Sequence, residues 1–225
     1  MKILAVDTAL PACSVAIFDS CEDRILAKKF EPMATGHAER LAPMVREVMA
    51  AANQDFASLG RIAATVGPGT FTGLRIGLSF ARGLALALGK PVVGLSTLRV
   101  LAAMTDNPNA FPIAAAIDAR RGNIYFQLFT SDLWPMGEPR ICSSAEAAEA
   151  LPEVRCIAVG SGAPLLSAAA EPHRLISDWR LATDAATVAA IAGRDENLLP
   201  PNPLYLRSHD AKPDASFLPH VAHQG

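Results

Sequence analysis

Residues 66–89 read Val66-Gly67-Pro68-Gly69-Thr70-Phe71-Thr72-Gly73-Leu74-Arg75-Ile76-Gly77-Leu78-Ser79-Phe80-Ala81-Arg82-Gly83-Leu84-Ala85-Leu86-Ala87-Leu88-Gly89. Gly67-Pro68-Gly69 is turn punctuation, and Gly89 is a natural helix stop. Between them the spacing predicts a helix over 70–88. Wound at ~100° per residue, Thr72, Arg75, Ser79 and Arg82 fall in one stripe of less than roughly a quarter of the circumference. Most of the remainder is Leu, Ile, Phe, Ala and Gly, well beyond the roughly one third to one half that an ordinary surface helix keeps apolar. Gly73, Gly77, Ala81, Ala85 and Gly89 recur every fourth position, a ridge that lets a neighbour approach closely. A glycine inside a helix costs about 0.5–1 kcal/mol relative to alanine. Gly73, Gly77 and Gly83 therefore call for a compensating contact. Close packing on the chain's own sheet supplies one, and so does a partner's helix.

Upstream, Met1–Asp7, Cys13–Phe18 and Arg24–Phe30 read as three strands with short links, an antiparallel meander. A helix follows His37, with Leu41, Met44, Val45, Val48, Met49 and Ala52 at helical spacing. Ile62–Val66 is a strand leading into the glycine turn, and Val92–Leu95 a strand after the helix. A second cycle starts at Pro112, with strands at Ile113–Asp118, Ile124–Phe129 and Ile157–Val159 and a helical patch at Ser144–Leu151. Ala5-Val6-Asp7 matches Ala116-Ile117-Asp118, and Val66-Gly67-Pro68-Gly69 matches Val159-Gly160-Ser161-Gly162, in the same order. This degenerate repeat predicts an α/β fold of two similar lobes with mixed sheets flanked by helices. The expected division is 1–105 for the first lobe and 106–225 for a smaller second lobe and tail. The segment after Leu199, rich in Pro, Asn and Asp, is expected to wrap a surface.

The 225 residues, 51% hydrophobic and 19% charged, are enough for a sizeable core and exclude a disordered chain. A net charge of −2 and the absence of a basic stripe speak against a protein that grips nucleic acid by itself. Cys13, Cys21, Cys142 and Cys156 stand in no metal-ligand spacing. No export signal is evident, and Arg75 and Arg82 interrupt the best candidate membrane span. A cytoplasmic location without membrane attachment is expected.

Few residues suggest chemistry. Gly67, Gly69 and Thr70 form a loop that can cradle a phosphate at a helix start, or serve only as a tight turn. The loop lacks the Gly-Lys-Ser/Thr ending of a P-loop. Asp7, Thr8 and Asp118 are candidates for a metal or phosphate between the lobes, or are strand-end turn residues. His37, beside Glu39, reads as a cap or packing residue. His173, His209, His220 and His223 show no pairing with other ligand types.

Ile3-Leu4-Ala5-Val6-Asp7-Thr8, His37-Ala38-Glu39-Arg40-Leu41, the run Val66–Gly77 and Pro203-Leu204-Tyr205-Leu206-Arg207 resemble the TsaB (YeaZ) family, a subunit of the bacterial machinery that makes threonylcarbamoyladenosine in tRNA. The likeness spans most of the chain and is strongest in its first hundred residues. It implies an actin-like, sugar-kinase-like fold. It also implies a non-catalytic scaffold that pairs with a catalytic paralogue of the TsaD type, joined by a P-loop ATPase of the TsaE type. The product is the modified adenosine at tRNA position 37. Metal and ATP would belong to the partner subunits, and tRNA would be met only through the complex. The family pairs through the two helices of the first lobe, which places His37, Leu41, Met44, Val45, Val48, Leu74, Gly77, Leu78, Ala81 and Ala85 at the interface. Alone, the chain is expected to form homodimers.

In TsaD-like chains the strand after the long helix ends in P-x-x-G-V-H-H-x-x-x-H, and two of those histidines hold a metal. Here the frame reads Pro91-Val92-Val93-Gly94-Leu95-Ser96-Thr97-Leu98-Arg99-Val100-Leu101. Thr97 and Leu101 stand at the ligand positions, and neither replaces an imidazole. The departure predicts no metal site and no catalytic role. An ATP-binding phosphotransferase with an actin-like fold, using Asp7 and residues 67–70, and a metallopeptidase-like enzyme are the competing readings.

Overall fold

Strands that are apolar at every position need cover on both faces, and this chain supplies helices for each. The computed structural model describes residues 1–171, 173–195 and 198–206. β1 (Lys2–Asp7), β2 (Ala12–Asp19), β3 (Arg24–Pro32), β4 (Leu59–Gly67) and β5 (Val92–Ser96) form one sheet in the order β3-β2-β1-β4-β5. β2 and β3 continue antiparallel from β1, while β4 and β5 run parallel to it. Side chains alternate between the faces. Leu4, Val6, Val15, Ile17, Ile62 and Ala64 meet α1 (His37–Ala51) and α2 (Phe71–Leu88). Ile3, Ala5, Ala16, Phe18 and Ala63 meet α6 (Ala185–Arg194) on the other side.

The second sheet repeats this plan. β6 (Ile113–Arg120), β7 (Asn123–Phe129), β8 (Arg140–Ser143), β9 (Cys156–Val159) and β10 (Leu175–Asp178) lie in the order β10-β9-β6-β7-β8. β7 and β8 are antiparallel from β6, and β9 and β10 are parallel to it. With β6 in the place of β1, the two sheets share one topology, as the repeated strand-to-Asp and glycine-loop signatures predict. α4 (Ser144–Glu149) and α5 (Ala163–Ala169) cover the outer face, over Ala114, Ala116, Ile124 and Phe126.

The final helix of each repeat packs across the divide. α3 (Thr97–Ala103) follows β5, yet Leu98, Leu101 and Ala102 cluster with Ile113, Ala115 and Phe129 of the second sheet. α6 follows β10, yet Val188, Ala189 and Ala192 cluster with the first sheet. The expected division at 105/106 is corrected on this point: residues 185–194 belong by packing to the first lobe. Sequence reading also passed over α3, α5, α6, β8 and β10. Each is short, and α6 (AATVAAIAGR) is too uniformly small and apolar to show a polar face.

α2 begins and ends as read. Thr70 caps it, its Oγ1 accepting from the Gly73 N–H, and Gly89 closes it with φ of 63°. By length and composition this helix would suffice to cross a membrane, with 18 residues and a mean hydropathy of 1.3. Here one side of it lies on the chain's own sheet, burying Gly73, Leu74, Gly77, Leu78, Ala81 and Ala85.

Candidate functional site

The aspartate that ends β1 is wrapped in donors from its own chain. Asp7 is 2% exposed. Its Oδ1 accepts from the Ala9 N–H at 2.9 Å and from the Thr65 hydroxyl at 2.7 Å, and its Oδ2 accepts from the Thr183 hydroxyl. Burial pushes the carboxyl above its usual range, against the pull of these three bonds. The arrangement ties the end of β1 to β4 and to the segment entering α6. A neighbouring contact repeats the tie, with Ser14 Oγ accepting from the Ala185 N–H at 3.0 Å.

Thr8 is equally committed. It is 1% exposed, and its hydroxyl donates to the Gly73 carbonyl at 2.6 Å. The Thr70 N–H donates to the Ala9 carbonyl at 2.8 Å. A Cβ on Gly69 would lie 2.4 Å from the Ala9 oxygen, and one on Gly77 2.6 Å from Thr8 Oγ1. The β1–β2 loop thus lies directly against the start of α2. Of the residues expected there, Asp7, Thr8, Gly67, Gly69 and Thr70, three are bonded elsewhere within the chain: Asp7 to Ala9, Thr65 and Thr183, Thr8 to Gly73, and Thr70 to Ala9 and Gly73. The compensating contact for Gly73 and Gly77 is Thr8 of the same chain, while Gly83 has open space beside it. Asp118 closes its own turn, accepting from the Arg120 N–H at 2.8 Å.

Thr97 and Leu101, expected to stand at the paralogue's ligand positions, lie on α3. Thr97 and Leu101 are both 0% exposed, and Leu101 sits in the cluster between α3 and the second sheet. Among the described residues, no group of three or more His, Cys, Asp and Glu side chains is placed to hold a metal. His173 pairs with Glu171 at 3.4 Å on the surface. His209, His220, His223 and Arg207 lie outside the described residues.

The interface expectation needs correction at the level of side chains. Leu41, Met44, Val45, Val48, Leu74, Leu78, Ala81 and Ala85 are all at most 4% exposed, and His37 only 8%. Gly77 is buried with them. These ten residues form the inward face of α1 and α2, because the period that marks an apolar stripe marks the side facing the chain's own sheet. The solvent side of α2 carries Phe71, 48% exposed, and Leu86, 86% exposed. Its polar stripe is held by the 198–206 segment, which crosses the lobe after pairing Leu199 with Gly94. Arg82 donates to Asn202 Oδ1. Arg75 Nε donates to Tyr205 Oη at 3.3 Å, with its guanidinium 3.6 Å from the Phe71 ring centre. Sequence reading found the stripe but not its occupant, since the partners are 120 and 130 residues apart.

Comparison with known proteins gives this geometry its setting. A family model described as TsaD, tRNA N6-adenosine threonylcarbamoyltransferase, matches residues 30–163. The tRNA threonylcarbamoyladenosine biosynthesis protein TsaB of Haemophilus influenzae is 30% identical over 225 aligned positions, covering 92% of this chain and 94% of that protein. The Escherichia coli protein of the same description is 39% identical over 133 positions, covering 59% of this chain and 56% of its own length. The solved structure of YeaZ from Pseudomonas aeruginosa superimposes with a TM-score of 0.81 at 29% identity, over 91% of this chain and 99% of that one. The two five-stranded sheets are the lobes of an actin-like fold. The chain belongs to the TsaB (YeaZ) family of tRNA threonylcarbamoyladenosine biosynthesis.

Proposed function

We propose that the chain is the non-catalytic scaffold and activator of a TsaD-type paralogue in making threonylcarbamoyladenosine at tRNA position 37. One observation carries this reading. The two α3 positions that match the paralogue's metal ligands are Thr97 and Leu101; both are fully buried, and Leu101 packs in the core between the lobes. A hydroxyl and an isobutyl group offer a transition metal no imidazole nitrogen. The metal and ATP then reside on the TsaD-type and TsaE-type partners, and tRNA is met through the complex in the cytoplasm. The solvent side of α2, with Leu86 as its most exposed apolar residue, is the docking surface. Without a partner the same surface drives homodimers.

Mixing the purified chain with its cognate TsaD-type protein and separating by size tests this. A 1:1 species and a gain in tRNA modification are expected, and Leu86→Arg should weaken the pairing at least tenfold with an unchanged melting profile. No complex and no gain would refute the proposal. Three donors of the chain's own on Asp7 count against the phosphotransferase reading. Stoichiometric heat with Mg-ATP at micromolar levels would reinstate it.

A further inference from the structure

Arg75 and Arg82 are the only charged side chains of α2, and both are exposed. They stand two turns apart on one side of the helix. Their hydrogen-bond partners among the described residues are neutral: Arg75 Nε donates to Tyr205 Oη at 3.3 Å, and Arg82 donates to Asn202 Oδ1. Elsewhere Arg24, Arg40, Arg99 and Arg194 each hold a carboxylate. Residues 71–88 and 198–206, which form the surface around the α2 pair, contain neither Asp nor Glu. Arg75 is also held in place. Its guanidinium lies 3.6 Å from the Phe71 ring centre, and the Phe71 and Tyr205 rings pack with centres 5.9 Å apart. A guanidinium carries five N–H donors. Tyr205 takes the one on Nε, so the terminal fork makes no hydrogen bond among the described residues. A fork fixed in advance loses little freedom when it meets a carboxylate.

The surroundings narrow the partner. Leu86, one turn beyond Arg82, is 86% exposed, and Gly83 has open space beside it. The surface is therefore apolar, with two cations and no anion of its own. Covering it with a purely apolar partner would strip water from both charges without replacing it, which is costly. A basic partner is repelled. The helical rise separates the two arginines by about 10 Å along the axis, the length of two turns in a helix laid alongside. We propose that Arg75 and Arg82 select the partner of α2: a helix with an apolar stripe that carries carboxylates about two turns apart, one for each guanidinium. Two copies meeting through α2 have no carboxylate on either helix, so these charges favour the paralogue over a second copy. This rests on the scaffold reading, in which a TsaD-type protein covers α2, and adds the chemistry by which that protein is recognised.

Calorimetry of the full chain with its cognate TsaD-type protein tests this, at salt concentrations where the screening length falls from roughly 14 Å to roughly 4 Å. Arg75→Ala combined with Arg82→Ala should weaken pairing at least ~10-fold at the lower salt and remove most of the salt dependence shown by the unsubstituted chain. Arg75→Lys combined with Arg82→Lys should keep the salt dependence while losing part of the affinity, since it keeps the charges but not the forks. Self-association of the isolated alanine variant, followed by sedimentation, should be unchanged or tighter. If the alanine variant melts lower than the parent, Arg75→Gln with Arg82→Gln is held to the same criteria. A complex whose affinity and salt dependence ignore the substitutions overturns the role of the arginines and leaves the scaffold reading standing. Self-association that weakens as much as the pairing assigns the arginines to a second copy and also overturns it. No complex with the unsubstituted chain overturns both.

Discussion

Adding one methyl group to α2 at two positions separates a helix seated on its own strand from one awaiting a partner. At Gly73, a Cβ would lie 2.0 Å from the Thr8 carbonyl oxygen and 2.5 Å from Thr70 Oγ1. Ordinary contacts are about 3.5 Å, so the first turn must retreat by roughly 1 Å or more. That retreat stretches the bond from Thr8 Oγ1 to the Gly73 carbonyl, 2.6 Å, and the bond from Thr70 N to the Ala9 carbonyl, 2.8 Å. Overpacking costs about 1–3 kcal/mol, and the two bonds about 0.5–1.5 kcal/mol each. Alanine's better helix propensity returns about 0.5–1 kcal/mol. The net expectation for Gly73→Ala is a loss of about 3 kcal/mol. At Gly83, nothing lies within 4 Å of the added carbon, so Gly83→Ala should gain about 0.5–1 kcal/mol. For a domain of this size each kcal/mol moves the melting temperature by about 2–4 °C. Calorimetry on the isolated chain should show Gly73→Ala melting about 6–12 °C lower and Gly83→Ala about 1–4 °C higher. If Gly73→Ala melts with the unsubstituted chain, α2 does not rest on Thr8 and the glycine ridge has another purpose.

Leu101→Ala should cost about 2–5 kcal/mol in urea unfolding, since Leu101 is fully buried between the lobes; an unmoved midpoint would contradict that placement. Ala81→Glu should unfold the chain, because it forces a charge into the face buried on the first sheet, whereas Leu86→Arg should stay within about 0.5 kcal/mol of the parent. Circular dichroism distinguishes the two. Asp7 gives a pH dependence. Its folded-state carboxyl titrates above the ordinary value of 3.8, so above that value the folded chain holds a proton that the unfolded chain has released. Asp7's contribution to stability is therefore fully present below 3.8 and is lost as pH rises through the raised folded value. Asp7→Asn should flatten this part of the stability profile, and an unchanged slope would show that the carboxyl is not desolvated.

Local patterning carried much of the first lobe. Thr70 and Gly89 bound α2, the continuous apolar runs of β1 and β2 signal two covered faces, and the matched Asp7/Asp118 and glycine-loop signatures announce a duplicated sheet. These are properties of neighbouring residues, so they can be read along the chain. Which surface meets which could not be read that way. The apolar period of α1 and α2 is the same whether Leu41, Leu78 and Ala81 face their own sheet or a partner, and only tertiary packing turned them inward. Nor does spacing reveal that α3 covers the second sheet and α6 the first, because helices this short and apolar fit either face. The clasp of Arg75 and Arg82 by Tyr205 and Asn202, and the bond from Thr183 to Asp7, join residues more than a hundred positions apart. Such contacts exist only once the chain has closed on itself. The sequence by itself therefore determined the longer elements and their repetition. Tertiary structure decided which faces remain exposed, because burial is a property of the assembled surface and not of the pattern along the chain.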